Sequence, residues 1–418
     1  MNMQMNIARE PKEYSINQEA TNSIKGNTEQ LRNEIIYAKT IIAANFFNAG
    51  KTDDAHQMAS DVLAIADPIG SPLHRLSRIL MKGIKNSCYS HTEYPGTLTD
   101  LCTGNLYSDQ TKSISMIKAY DLLASATPFI QFAYNAVNLA ILSESAQSNT
   151  LHIIDIGIGS GYQWSTLFSL LKGTSFLPKK IRITGIDIPS ARHALNAVEK
   201  RLSNEAKELG IEFSFTPFLG KAEEISFNDI QFDRSEFLVI NAVLSLHHTA
   251  TDDAIVNPAH SRDCLLSRLR QLNPNLLTLV EPDSNHNNLP FKEHCNEAFQ
   301  HYSHIFNVFD YLFPRNLKER ALLENEFFGR ELVNILTSEG IDRVERHERK
   351  EMWSKRLRQA DFTYVEDIFQ ITSRTLKNIV PIATPFEIYQ SRHGLCLNVY
   401  NVPLLSASCW RPARHERT

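Results

Sequence analysis

Residues 151–164, LHIIDIGIGSGYQW, constrain the fold more than any other stretch of the chain. An apolar run ends in Asp155, and Gly157, Gly159 and Gly161 follow at alternate positions before a helical pattern begins. Glycines allow a tight turn and a close backbone approach to a ligand. The new helix presents its free N–H groups and positive dipole end to the same spot. From here on, short apolar runs alternate with helical stretches. The runs lie at 151–158, 181–188, 211–218, 237–243 and 276–281, with helical segments near 163–171, 191–209 and 261–272. Strand, helix, strand, helix predicts an α/β fold with a doubly wound, mostly parallel sheet. A further helical stretch is expected at about 291–337, and late strands near 362–365 and 395–402.

Upstream the grammar is helical. Ile35, Ile36, Ala38, Ile42, Ala43 and Phe46 recur at helical spacing until Gly50-Lys51-Thr52 interrupts them. Helices are expected near 55–66, 72–85, 113–124 and 129–145, with a polar loop over 88–107. Residues 1–29 hold few apolar groups and read as a disordered tail. The expected organisation is therefore a tail at 1–29, a helical cap at 30–146, and a Rossmann-like core at 147–412. The core carries a helical insert at about 289–337, and a basic tail follows at 413–418.

Composition narrows the function classes. A net charge of −4 over 418 residues provides no global attraction to DNA, RNA or anionic membranes, so direct nucleic-acid or membrane binding is not expected. The six cysteines fall in no zinc-knuckle or C-x-x-C spacing and read as reduced thiols. No secretory signal and no apolar run of spanning length is read, so a cytoplasmic location is expected, with export to a host cell or to a nucleus as alternatives.

The chemistry concentrates at the ends of the predicted strands. The spacing D-x-G-x-G-x-G differs from the dinucleotide G-x-G-x-x-G, because Tyr162 stands at the third glycine, and it fits the cofactor loop of class I methyltransferases. On that reading Asp155, Gly157, Gly159, Gly161 and Gln163 surround S-adenosylmethionine; the bland reading is a plain strand–helix turn. Asp187, ending the second strand, either accepts both ribose hydroxyls or caps the next helix. Glu223 or Glu224 either reaches the adenine amino group or sits in a surface turn. After the fourth strand, Asn241 faces the cofactor, and His247 and His248 either serve as a base beside the acceptor or are one buried and one exposed histidine. Glu281 is a third candidate for proton removal, and Asn285, His286 and Arg330 are candidate acceptor contacts.

Other signals are discounted. His294, His301 and His304 share a helical segment without a carboxylate or cysteine at a telling spacing, so no metal site is expected. Leu167-Phe168-Ser169-Leu170-Leu171 reads as the buried face of the helix after the glycine loop. The charged run 343–358 has mixed sign and reads as a solvated helix face.

Several blocks, in order, resemble the GRAS family. LHIID followed by Gln163-Trp164 is similar to its central signature, and residues 126–142 to the leucine-rich helix before it. LNPNLLTLVEPDSNHN at 272–287, NEAFQHYSHIFNVFD at 296–310, GRELVNILTSEGIDRVERHERKEMW at 329–353 and VPLLSASCWRP at 402–412 are similar to its later blocks. The resemblance covers about 31–412. It implies a helical cap on a seven-stranded methyltransferase-like core, and in plants a nuclear regulator acting through protein partners. Because Gly157, Gly159, Gly161 and Asp187 are present, the expectation is a bacterial-type member that methylates a small-molecule acceptor. The alternative is a non-catalytic interaction module whose cap binds a protein.

Overall fold

The computed structural model describes residues 13–89, 121–174, 177–251 and 258–414. Its first element, α1 (Glu13–Asn48), corrects the expected tail: residues 13–29 continue the helix, while 1–12 lie outside the described residues. Once Ile36, Thr40, Ala43 and Ala44 anchor the helix by burial, each residue added at its N-terminal end needs only propagation, not a new nucleus. The chain turns at Gly50, whose φ of +70° suits glycine, into α2 (Thr52–Ile65). Asp67-Pro68 separates α2 from α3 (Pro72–Tyr89), and the three helices pack on one another. Most of the polar loop and of the helix expected at 88–124 lies outside the described residues.

Next comes α4 (Phe129–Glu144), buried along most of its length. The sequence groups α4 with the cap, but it packs directly on the sheet, because an apolar surface this wide needs two partners. The sheet contains β1 (Thr150–Ile156), β2 (Lys180–Asp187), β3 (Glu212–Leu219), β4 (Phe237–Val243) and β5 (Leu276–Pro282), all parallel. Its helices are α5 (Tyr162–Leu171), α6 (Arg192–Glu208) and α7 (Arg262–Gln271). Ser261 caps α7 by accepting the Cys264 N–H at 3.2 Å.

After β5 the chain runs through α8 (Phe291–Leu312), α9 (Lys318–Leu322), a π-helical turn at Leu323–Phe328 and α10 (Gly329–Thr337). These helices meet α3: a Cβ on Gly83 would come within 2.8 Å of Val333. Then follow α11 (Lys350–Gln359), β6 (Phe362–Tyr364), α12 (Asp367–Ile379), β7 (Phe386–Ser391), β8 (Gly394–Val399) and β9 (Val402–Pro412).

The sheet runs β3-β2-β1-β4-β5-β9-β8-β7, with β6 also paired to β9. The described residues thus hold nine strands in one sheet, not seven. The expected strand at 395–402 is two, β8 and β9, joined at Tyr400-Asn401, where both residues have positive φ (48° and 66°). That is the geometry of a two-residue hairpin turn. The order reverses between β1 and β4, which places the ligand crevice of this topology at the carboxyl ends of those strands.

Candidate functional site

The glycine loop sits at that crevice, and the amides of its three glycines are hydrogen-bonded within the protein. Gly157 N–H and Ile158 N–H both donate to Ile186 O, at 2.9 and 3.2 Å, and Gly161 N–H donates to Ile158 O at 2.9 Å. Gly159 N–H donates to one carboxylate oxygen of Asp187 at 3.0 Å, and Ile188 N–H to the other at 2.8 Å. The glycines serve packing. A Cβ on Gly157 would lie 2.8 Å from Ser245, and one on Gly161 2.5 Å from Val198 of α6. Arg201 of α6 stacks on Tyr162 at 4.5 Å and donates to Ser160 O, fastening the loop from outside.

Behind the loop lies a closed polar network. Asp155 accepts from Trp164 Nε1 and from Asn241 Nδ2, each at 2.7 Å. Gln163 joins Asn241 to Asn138 of α4, with both contacts at 3.1 Å, and Thr278 donates to Asn241 at 2.8 Å. Burial pushes Asp155 up to about 7 in spite of these donors. Asp155, Gln163 and Asn241, expected to touch a cofactor, are spent on one another. Glu223 is held through its backbone carbonyl, which accepts from Arg268 at 2.8 Å. The residue types suit S-adenosylmethionine, while in the fold each Asp187 oxygen already accepts one backbone N–H, from Gly159 and from Ile188.

Beside the crevice, under α4 and the helices after β5, lies a second and richer cluster. Leu123, Phe129, Ile130, Leu244, Phe328 and Leu405 form the apolar walls of a cavity of about 120 Å³, smaller than a usual small-molecule pocket. His247, His248, His301, His347 and Glu331 face it as well. His247 Nδ1 donates to Glu281, whose other oxygen accepts Leu246 N–H at 2.8 Å. Glu345, fully buried, approaches His247 Nε2 at 3.3 Å, His248 Nε2 at 3.4 Å and His347 Nε2 at 3.2 Å. Ligand atoms of His247, His248 and Glu345 all lie within 4.8 Å of one another. His347 Nδ1 meets His286 Nδ1 at 2.8 Å, and His286 Nε2 meets Ser284 Oγ at 2.9 Å. Burial disfavours the His247 cation, but Glu281 and Glu345 outweigh it and raise the group to about 10. His347 falls to about 4 by burial and by the charge of His247. Burial and the charge of Glu345 raise Glu331, which accepts from Tyr302 Oη at 2.9 Å, to about 8.

The GRAS domain family matches residues 38–411. The chain belongs to the GRAS family. Chitin-inducible gibberellin-responsive protein 1 of Oryza sativa subsp. japonica is 30% identical over 371 residues, covering 88% of this chain and 63% of the relative. The Scarecrow-like transcription factor PAT1 of Arabidopsis thaliana is 28% identical over 395 residues, 93% of this chain and 79% of the relative. The chain thus spans a little under two thirds of the first relative's length. The crystal structure of SCL7 from Oryza sativa superposes with a TM-score of 0.72 at 25% identity, over 90% of this chain and 99% of that one. The relatives are plant proteins, so the expectation of a bacterial-type member is corrected. Likeness to methyltransferases is far weaker: plantazolicin methyltransferase BpumL, in complex with SAH, reaches a TM-score of 0.40 at 13% identity.

In this GRAS chain the other sequence candidates scatter. Asn285 uses its side-chain oxygen to accept N–H groups of its own turn, from Asn287 and Asn288, both at 3.4 Å. Arg330 pairs with Glu326 at 2.7 Å and does not line the cavity; its neighbour Glu331 does. Glu281, with both oxygens engaged, holds His247 in place. His301 reaches the cavity wall, whereas His304 does not line it and meets Gln300 O at 2.7 Å. The run 343–358 overturns its expectation most. Residues 343–349 are extended and largely buried, and only α11 is helical. Arg262 pairs with Glu348 at 3.0 Å, and Arg356 pairs with Glu348 and Asp263. Glu345, Arg346, His347 and Glu348 were therefore missed. The usable signal was His347 between acidic residues, in a block that already resembled the family.

Proposed function

We propose that this GRAS chain is a non-catalytic interaction module of transcriptional control, working in the nucleus by binding protein partners. The carrying observation is the internally bonded glycine loop. Asp187 is held by the backbone N–H groups of Gly159 and Ile188, which ties the loop to β2 as a scaffold. Its likeness to the Scarecrow-like transcription factor PAT1 supports the same reading. A surface for a partner is present on α1, where Leu31, Ile35 and Ile42 are 58%, 42% and 41% exposed. A methyltransferase acting on a small molecule is the second reading, favoured by the intact D-x-G-x-G-x-G spacing alone.

Two measurements separate them. Fusion of the chain to a heterologous DNA-binding domain is expected to change reporter transcription, and Ile35→Glu with Ile42→Glu to abolish the change. Calorimetric titration with S-adenosylmethionine and S-adenosylhomocysteine is expected to give no binding heat. Micromolar binding that is lost in Gly159→Arg and Asp187→Ala would overturn the proposal in favour of the enzyme.

A further inference from the structure

With every imidazole neutral, the histidine–glutamate cluster turns more lone pairs than protons toward one buried carboxylate, Glu345. Glu297 accepts Asn285 N–H at 3.1 Å, pairs with Arg349 at 2.5 Å and accepts the Ser284 hydroxyl at 2.9 Å; three donors mark an ionised carboxylate. Ser284 has one proton and spends it there, so its oxygen must accept from His286 Nε2–H. A neutral His286 then carries its lone pair on Nδ1. The 2.8 Å contact there must be donated by His347 Nδ1–H. A neutral His347 is left with a bare Nε2 pointing at Glu345, 3.2 Å away. The count from the other side ends in the same way. His247 spends Nδ1–H on Glu281, and a neutral His247 also turns a bare Nε2 to Glu345, at 3.3 Å.

Lone pairs that face a buried carboxylate at hydrogen-bond distance repel unless a proton or a metal ion lies among them. A proton on His247 relieves one contact and leaves the other. A second imidazolium on His347 would set two cations side by side, with ring centroids 4.5 Å apart. A divalent ion needs no such compromise.

We propose that His247, His248 and Glu345 form a binding site for a divalent transition metal of the zinc class. Two imidazoles and a carboxylate are a borderline-soft donor set of that class. His247 Nε2 and His248 Nε2 lie 3.3 and 3.4 Å from the two separate oxygens of Glu345, and with one donor atom taken from each residue the three lie within 4.8 Å of one another, around a common point. Glu281 on His247 Nδ1 is the carboxylate–histidine arrangement that fixes the tautomer of a metal-binding imidazole. His347, which lines the same cavity with its Nε2 3.2 Å from Glu345, would be an outer partner of the bound ion. His248 is about 29% exposed, so an ion has a route in.

The test uses the purified full chain, stripped with a chelator and shown to be folded by circular dichroism. Titration with Co²⁺ is expected to give the visible bands of a tetrahedral site, saturating at one equivalent. Zn²⁺ should displace the Co²⁺, and Mg²⁺ should not. His248→Ala, at a partly exposed position that leaves the core packed, should weaken Co²⁺ binding at least tenfold, with Glu345→Gln as the second variant. His304→Ala, on α8 but outside the cavity lining, should leave it unchanged. A folded protein that takes up no stoichiometric Co²⁺ would overturn the proposal. So would equal binding by His248→Ala, or binding lost in His304→Ala, since both indicate surface histidines.

Discussion

Asp155 shows how one side chain can carry the outline of a catalytic motif and do structural work. It ends β1, as a cofactor-loop carboxylate would, yet both oxygens are held from inside, by Trp164 nine residues on and by Asn241 eighty-six residues on. Sequence spacing exposed the acid and the glycines. It could not show that a donor from β4 would close over them, because that contact depends on the sheet order. The group's pH behaviour follows from its burial. Its native value of about 7 lies above the ordinary carboxylate value, so the folded protein holds a proton that the unfolded chain releases. The stability this contributes is fully present below about pH 4, lost progressively up to about pH 7, and level beyond. Against Asp155→Asn, the wild type is expected to lose on the order of 4 kcal/mol between pH 4 and pH 8 in urea titrations. Parallel profiles for the two proteins would refute the assignment.

Elements tell a second story, in the joint between α3 and the helices after β5. Arg75 of α3 reaches Glu324 at 3.0 Å and Asp310 at 3.1 Å, and Arg320 binds the same two carboxylates. All four groups are wholly or largely buried, and Arg75 also stacks on Phe306. Replacing Glu324 with Ala would leave two guanidinium groups short of a partner in a dry joint. The expected cost is about 3–5 kcal/mol, read as a lowered Tm, with faster proteolysis near the π-helical turn. An unchanged Tm would show that the joint is wet. Helices of this region were legible from their 3.6-residue apolar period. The C-terminal strands were less so: β8 and β9 merge into one apolar run, and only Asn401, a residue that tolerates positive φ, marks the turn between them. The buried stretch 343–349 was illegible for a physical reason. Charged residues read as solvated until their partners, Arg262 from α7 and Asn287 from the loop after β5, are in place.

At the scale of the molecule, one apolar core runs from the N-terminal helices through α4 to the sheet. It joins Ile36, Leu80 and Phe132 with Ile153, Phe168 and Leu397. A smaller core covers the opposite face, around Leu265, Trp353 and Trp410. The sequence sets 30–146 apart as a helical cap. The shared core predicts instead a single cooperative transition, with helical and near-ultraviolet signals lost together in denaturant. A fragment that starts at residue 147 is expected to lack native near-ultraviolet dichroism, because removal of α4 strips an apolar face of the sheet. A fragment with a native spectrum would contradict this. The α/β class and the five parallel strands were visible in the alternation after Leu151. The coupling between layers was not, since periodicity reports which face of an element is apolar and not what covers it.

The position of β9 has a consequence for how the protein is made. It pairs with β5 and β8, in the interior of the sheet, yet Val402 follows Pro282 by 120 residues. During synthesis, at roughly 5–20 residues per second, β5 stands as an unpaired edge for about ten seconds. An apolar strand with open amides is what another nascent chain can pair with. This protein should therefore depend on chaperones that shield strand edges on the ribosome, and its yield should fall when translation slows between those two strands.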